Sequence, residues 1–174
     1  TLQFFSAYGD IAVTRTRGGY CLQLSSFALQ PIAVTELPPS VTQGLTIAAA
    51  VGRDLVLELS SAAAVRAYQP DVEAMRQLPW HAVLVTARSD TVPTTEPAGY
   101  LLRYFAPGIG IDEDPATGSA HCSLLPYWQA KMPQPYQRWQ ATQCSSAGGE
   151  FALQGLGSVL QLTSQALICG ERLL

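Results

Sequence analysis

Three acidic residues stand directly before a run of very small ones in the segment Asp112-Glu113-Asp114-Pro115-Ala116-Thr117-Gly118-Ser119-Ala120-His121-Cys122. The pattern is helical from Thr117 to about Lys131, so the acids occupy a loop that leads straight into a helix N-terminus. Gly118, Ser119 and Ala120 have small side chains, and their backbone N–H groups are open to close approach. Free N–H groups at the positive end of a helix dipole suit an anion such as a carboxylate or a phosphate. Asp114 is placed to face that ligand, and Pro115 stiffens the turn. The same residues admit a plainer reading, in which Asp112 or Asp114 caps the helix and the small residues only let it pack.

Other chemistries fail on spelling. Thr117-Gly118-Ser119-Ala120-His121 is not a G-x-S-x-G nucleophile elbow. No phosphate-binding G-x-x-x-x-G-K-[ST] loop occurs, and no dinucleotide fingerprint follows a strand. Cys21, Cys122, Cys144 and Cys169 are far apart, without a C-x-x-C pair or a histidine at ligand spacing. A metal site is therefore not expected, and the cysteines read as buried free thiols of a reducing cytoplasm. His121 points away from the Ser119 face and reads as a partly buried histidine that supports the site from behind, with a catalytic relay as the alternative. Cys122 reads as core, Tyr127 and Trp128 as packing residues, and Trp80 and Trp139 as core or interface.

The elements that must position this segment are mostly strands. Alternation at Ile11, Val13, Tyr20, Leu22 and Leu24 around Arg17-Gly18-Gly19 marks a hairpin, and residues 3–26 hold three antiparallel strands. The stretch from Pro31 to Leu37-Pro38-Pro39-Ser40 is the best candidate for a domain boundary. Short helices are expected at 40–45, 61–67 and 71–78, and strands at 46–51, 54–59, 80–87 and 99–105. Residues 88–98 read as a surface loop. Leu124, Leu125, Trp128 and Met132 fall near one stripe of the principal helix, which Pro126 should kink or rob of a hydrogen bond. Four strands follow, at 139–144, 150–154, 158–162 and 166–170.

The 174 residues are 48% hydrophobic and 13% charged, with a net charge of −3, which excludes a disordered chain. The ten basic residues form no run, so neither nucleic acid nor an anionic membrane is an expected partner. No apolar stretch reaches the roughly 18 residues of a membrane span. Thr1 to Phe5 lack a basic or apolar leader pattern, so no signal peptide is expected, and a start directly in a strand reads like a polypeptide joined partway through.

Glu113 to Cys122, followed by L-x-P-Y-W at Leu124 to Trp128, resembles the signature of the phenazine-biosynthesis PhzF-like proteins. Arg103-Tyr104-Phe105-Ala106-Pro107 before it and Gln143-Cys144-Ser145-Ser146-Ala147-Gly148-Gly149 after it match the same family. The resemblance implies an α+β, diaminopimelate-epimerase-like fold, in which two similar domains each wrap an antiparallel sheet around a central helix and the active site lies between them. It implies an isomerase without metal or organic cofactor. The family's characterised member moves a proton on a dihydro-hydroxyanthranilate. Asp114 and Ser119 match the second domain's catalytic positions, and Thr117, Gly118, Ala120, Gly148 and Gly149 match its substrate-binding ones.

Two departures accompany the resemblance. The family's proton-transferring Glu and its G-H-A-T helix start, both in the first domain, have no counterpart here. Residues 1–33 are accordingly expected to be the last strands of a first domain, residues 34–164 the second domain, and 165–174 a closing strand and tail. Residues 1–33 should pair with the missing first-domain segment. Ala147 stands where the family often has Arg. The expected function is a cytoplasmic, homodimeric, cofactor-independent isomerase or epimerase that moves a proton on a small carboxylate-bearing metabolite, the 174 residues alone being inactive. The alternative is a non-catalytic relative that binds a metabolite or a protein in the same cleft.

Overall fold

Alternating apolar residues, punctuated by glycine, build an eleven-stranded mixed sheet in the computed structural model, which describes residues 1–5, 10–89, 97–132 and 135–166. The strands are β1 (Leu2–Phe4), β2 (Ile11–Thr16), β3 (Gly19–Ser25), β4 (Gln30–Ile32), β5 (Thr46–Val51), β6 (Leu55–Leu59), β7 (Val83–Arg88), β8 (Ala98–Phe105), β9 (Arg138–Gln143), β10 (Gly149–Leu156) and β11 (Val159–Ser164). Their spatial order is β1-β2-β3-β11-β10-β9-β8-β7-β6-β5-β4. Neighbours are antiparallel except β6 with β7 and β8 with β9. Parallel neighbours require crossovers. The first passes through the short helices α2 (Ala62–Ala67) and α3 (Val72–Arg76), and the second through α4 (His121–Lys131). A further short helix, α1 (Pro39–Thr42), precedes β5.

The two crossovers cover opposite faces of the central strands. Val56, Leu84, Tyr100 and Leu102 face a core built around α4, whereas Leu55, Leu57, Val83, Val85, Leu101 and Phe105 face a second core under α1, α2 and α3. Strands β6, β7 and β8 are therefore near-continuously apolar, as burial on both faces demands. In β9, β10 and β11 the inward residues Trp139, Ala141, Phe151, Leu153, Leu160 and Leu162 alternate with more exposed ones, so one face only is covered.

The local signals of the sequence are met at the caps. Ser61 Oγ accepts from Ala64 N–H at the start of α2, and Asp71 Oδ1 accepts from Ala74 N–H at the start of α3. The Arg17-Gly18 turn joins β2 to β3, and Gly19 is required there, since a Cβ would lie 2.2 Å from the Ser164 carbonyl oxygen across the β3–β11 pair. Strand β4, which periodicity did not foresee, contains Pro31 and lies at a sheet edge, where a missing N–H is tolerated.

Leu37 and Val41 of the Pro-rich stretch are buried in the second core. Within residues 1–33, β3 pairs with β11, setting Leu22 against Leu162 and Leu24 against Leu160 over the α4 core. Burial of α4 is not confined to one stripe, since His121, Cys122, Ser123, Leu124, Leu125 and Trp128 are all buried. Pro126 does not end the helix. It removes the N–H that would reach the Cys122 carbonyl, and the Phe27 N–H takes that oxygen instead at 3.0 Å. Of the cysteines, Cys122 is buried but Cys21 and Cys144 are half-buried. Cys169 and most of the strand expected at 166–170 lie outside the described residues, as does most of the loop expected at 88–98.

Removing the Leu124 side chain should leave a cavity beside α4 and cost about 2–5 kcal/mol. Exposed Leu156, at the end of β10, should tolerate alanine within about 0.5 kcal/mol. Urea denaturation of Leu124→Ala and Leu156→Ala measures the difference, and equal losses would contradict the enclosure of α4.

Candidate functional site

The loop from β8 to α4 is folded back on its own strand. Ala106 and Ile111 exchange N–H···O hydrogen bonds of 2.9 and 3.1 Å around a 3-10 turn at Pro107–Ile109, and Asp114 N–H donates to the Tyr104 carbonyl at 2.9 Å. The three acids then separate by role. Glu113 is held by a two-pronged ion pair from Arg103, at 2.7 and 2.9 Å, while Arg103 also donates to the Tyr68 carbonyl at 2.6 Å. Asp112 lies 3.8 Å from Arg76 on an exposed edge. Asp114 alone turns toward the helix start, where its Oδ2 accepts from the Thr117 hydroxyl at 2.5 Å.

Gln143, at the end of β9, fastens this loop from inside. Its Oε1 accepts from Thr117 N–H at 2.7 Å, while its Nε2 donates to the Asp114 carbonyl at 2.6 Å and to Thr117 Oγ1 at 3.2 Å. The side chain is fully buried, so these bonds satisfy groups that water does not reach. Sequence reading quoted Gln143 only as part of a motif. Its signal was a lone amide at an inward strand position, beside Trp139 and Ala141 in the alternation.

The helix begins as a 3-10 turn, Gly118–Ala120, that runs into α4. The first bond inside it is Ala120 N–H to Thr117 O at 3.3 Å. Of the N–H groups expected to be open, those of Thr117 and Ala120 are therefore committed, because Gln143 and the turn itself take them. Those of Gly118 and Ser119 come before any intrahelical partner, and no described side chain caps the turn. Gly118 is half-buried, Ser119 exposed and Ala120 buried.

Gly148 and Gly149 reach the same loop from the β9–β10 turn. Gly148 N–H donates to Ser145 Oγ at 3.0 Å, and Ser145 Oγ donates to the Pro115 carbonyl at 2.7 Å. Gly148 has φ +75°, which favours glycine, and a Cβ on Gly149 would stand 3.3 Å from the Ala116 Cβ. The two glycines thus back the acidic loop, and among the described residues no hydrogen bond joins them to Ser119.

Arg53, in the β5–β6 turn, was missed by sequence reasoning. Its Nη2 donates to Ser119 Oγ at 3.4 Å and to Tyr104 Oη at 3.3 Å. Its Nε and Nη2 are gripped by Asp54 at 3.0 and 2.7 Å. Nothing local in Gly52-Arg53-Asp54 marks it, because Ser119 lies 66 residues away.

Burial keeps the aromatic and thiol groups here neutral. Burial, with the Asp54 charge second, pushes the Tyr104 phenol up to about 12. Burial also raises Cys122 and lifts Tyr100 well above its ordinary value. His121 is completely buried rather than partly so. Its Nδ1 shares a 2.6 Å hydrogen bond with Tyr100 Oη, its ring lies 4.4 Å from that of Phe151, and its Nε2 has no partner among the described residues. Burial lowers its pKa to about 3. Among the described residues no group of three or more His, Cys, Asp or Glu could hold a metal ion, and no helix is long and apolar enough to cross a membrane.

Replacing Gln143 by leucine should strand the Thr117 N–H and the Asp114 carbonyl, at a cost of at least about 1–3 kcal/mol. Denaturation and amide exchange at Thr117 test this, and unchanged protection there would remove Gln143 as the latch. For His121 the unfolded chain takes up its proton near pH 6.5, and the folded chain only near 3. Between those values the unfolded state binds more protons, so stability should fall as pH falls, by up to about 1.4 kcal/mol per pH unit. Urea titrations from pH 7 to 4 should show that slope, and His121→Gln should lack its one-proton share. An identical slope in both proteins would place the titration elsewhere.

Comparison with known proteins supplies the relatives of this arrangement. The model of a family described as phenazine biosynthesis-like protein matches residues 28–155. A Vibrio cholerae protein named an uncharacterized isomerase is 40% identical over 153 residues, covering 87% of this chain and 51% of its own length. A Pseudomonas aeruginosa protein of the same description is 41% identical over 114 residues, or 66% of this chain and 41% of that protein. The crystal structure of a PhzF-family phenazine biosynthesis protein from Enterococcus faecalis matches with a TM-score of 0.79 at 30% identity, over 92% of this chain and 59% of that one. A putative PhzC/PhzF protein from Clostridium difficile gives 0.78 at 29% identity, over 95% and 61%. The chain spans about half the length of the curated relatives it matches.

Proposed function

Because the chain belongs to the phenazine biosynthesis-like family, we propose that it carries the second-domain half of an isomerase site that moves a proton on a small carboxylate-bearing metabolite. The observation that carries the reading is the start of α4: exposed Ser119, the Gly118 and Ser119 N–H groups with no partner among the described residues, and Asp114 held against Thr117 in one loop. The names of the Vibrio and Pseudomonas relatives support an isomerase. In this reading the two N–H groups receive the substrate carboxylate. Asp114 orients the substrate beside them, its Oδ2 steadied by the Thr117 hydroxyl, and Ser119 Oγ contributes a hydrogen bond.

The proton shuttle belongs to a carboxylate of the first domain, as the resemblance implies, acting as general base and then general acid. The neutrality of His121, Cys122, Tyr100 and Tyr104 supports this division, since burial poises none of them to take a proton near neutrality. His121 serves instead as packing behind Ser119. Residues 1–33 are assigned to the first domain in the whole protein, 34–164 to the second and 165–174 to a closing strand and tail. The outer edge of β1 is left for the rest of the first domain. The whole protein is read as a cytoplasmic homodimer that works without a cofactor.

In the whole protein Asp114→Asn should lower turnover by about 10²–10⁴-fold, while unfolding free energy changes by no more than the roughly 0.5–2 kcal/mol of a lost cap. Ser119→Ala should be milder, because its N–H survives. The 174 residues alone should isomerise nothing. Unchanged turnover in Asp114→Asn with ligand binding lost would favour a binding protein over an enzyme, and turnover by the 174 residues alone would overturn the assignment of the proton shuttle.

A further inference from the structure

The Arg53 guanidinium occupies an unusual position for a half-exposed arginine. Its Nε and Nη2 edge is fixed by both oxygens of Asp54, whose side chain is only 3% exposed, whereas the arginine side chain is 42% exposed. The same Nη2 reaches Ser119 Oγ and Tyr104 Oη. Among the described residues Nη1 makes no hydrogen bond, so a planar donor group is held in one orientation with its last donors unspent. The other arginines that bear on the acidic loop are occupied: Arg103 by Glu113 and the Tyr68 carbonyl, and Arg76 by the Pro107 carbonyl and Glu73. Position 147, where the resemblance leads one to look for an arginine, is alanine.

We infer that Arg53 is a substrate-binding residue, which donates from Nη1 to the carboxylate of the ligand at Ser119 while Asp54 holds the guanidinium in place. The inference rests on the reading of the site given above and adds to it the group that recognises the anion. A carboxylate is the fitting ligand because a charged N–H donor bonds an anionic oxygen more strongly than a neutral one. Fixing the arginine before the ligand arrives removes the rotamer entropy that a free side chain would lose on binding. Asp54 offsets the positive charge, so selection works through hydrogen-bond geometry at short range. Tyr104, protonated at neutral pH, leaves the arginine's positive charge unchallenged on that side.

The competing account is that Arg53 does no more than neutralise buried Asp54. Sodium benzoate serves as the carboxylate probe and benzamide as its neutral counterpart, each titrated into the full 174-residue chain with nitrogen-15 NMR of the Gly118 and Ser119 amides and of Arg53 Nε. Benzoate should shift all three saturably, and benzamide should not. The double variant R53Q/D54N leaves no buried charge unpaired, and it should weaken benzoate binding by about tenfold or more with an otherwise native spectrum. Arg53→Lys keeps the charge without the planar fork and should lie in between, which decides the matter if the double variant does not fold. Undiminished benzoate affinity in these variants would overturn the role of Arg53 and leave the anion site standing. Gly118 and Ser119 amides that ignore benzoate in the unaltered chain would overturn both.

Discussion

Much of this structure follows from covering the first turns of one helix on every side. In α4 five consecutive residues, His121 to Leu125, are buried together with Trp128, and only its last turn, at Ala130 and Lys131, is exposed. A flat sheet covers one face only. The chain meets the demand by carrying α4 across from β8 to β9, and by bringing β9, β10, β11 and β3 to pack their apolar faces on it beside β6, β7 and β8. Even its backbone is provided for. Where Pro126 leaves the Cys122 carbonyl without a helical partner, the loop after β3 supplies the Phe27 N–H.

At the start of α4 the chain reaches the surface at Ser119, between buried Thr117 and Ala120. The loop before it must satisfy its own backbone groups, and it does so through Tyr104, Gln143 and Ser145. Among the described residues the Gly118 and Ser119 N–H groups remain without a partner, beside the Ser119 hydroxyl and the Asp114 carboxylate, which accept from Arg53 and Thr117. Arg53 and Asp54 arrive from the other flank of the sheet, through the turn that joins β5 to β6. The polar groups around the start of α4 thus come from the β5–β6 turn, the β8–α4 loop and the end of β9.

The family likeness and the local chemistry meet at this point. In a chain that spans about half of its relatives' length, the proposal gives the start of α4 the holding and orienting of an anion, with His121, Cys122 and Tyr104 kept neutral by burial. Holding and proton transfer are separable tasks, and placing them on two domains lets closure of the cleft bring them together. That division is part of the proposal for the whole protein, and Arg53 belongs to the holding side.

Much of this was legible in the sequence. Strand alternation, the Ser61 and Asp71 caps and the Gly18–Gly19 turn are local signals, in which a few neighbouring residues determine the backbone. The helix start after Thr117 was readable for the same reason. The burial of the first turns of α4 on every side was not, because a stripe at helical spacing reports one face and says nothing of what lies against the others. Neither the Phe27–Cys122 bond nor the pairing of β3 with β11 could be read, since both join segments far apart in the chain. The ranking of the three acids was equally hidden: Glu113 and Asp114 are neighbours of one chemical type, and only the folded positions of Arg103 and Thr117 give one an ion pair and leave the other at the helix. Gln143 and Arg53 carry no local signature at all. An amide becomes a latch and an arginine becomes an anchored donor only when the sheet sets their turns beside the start of α4.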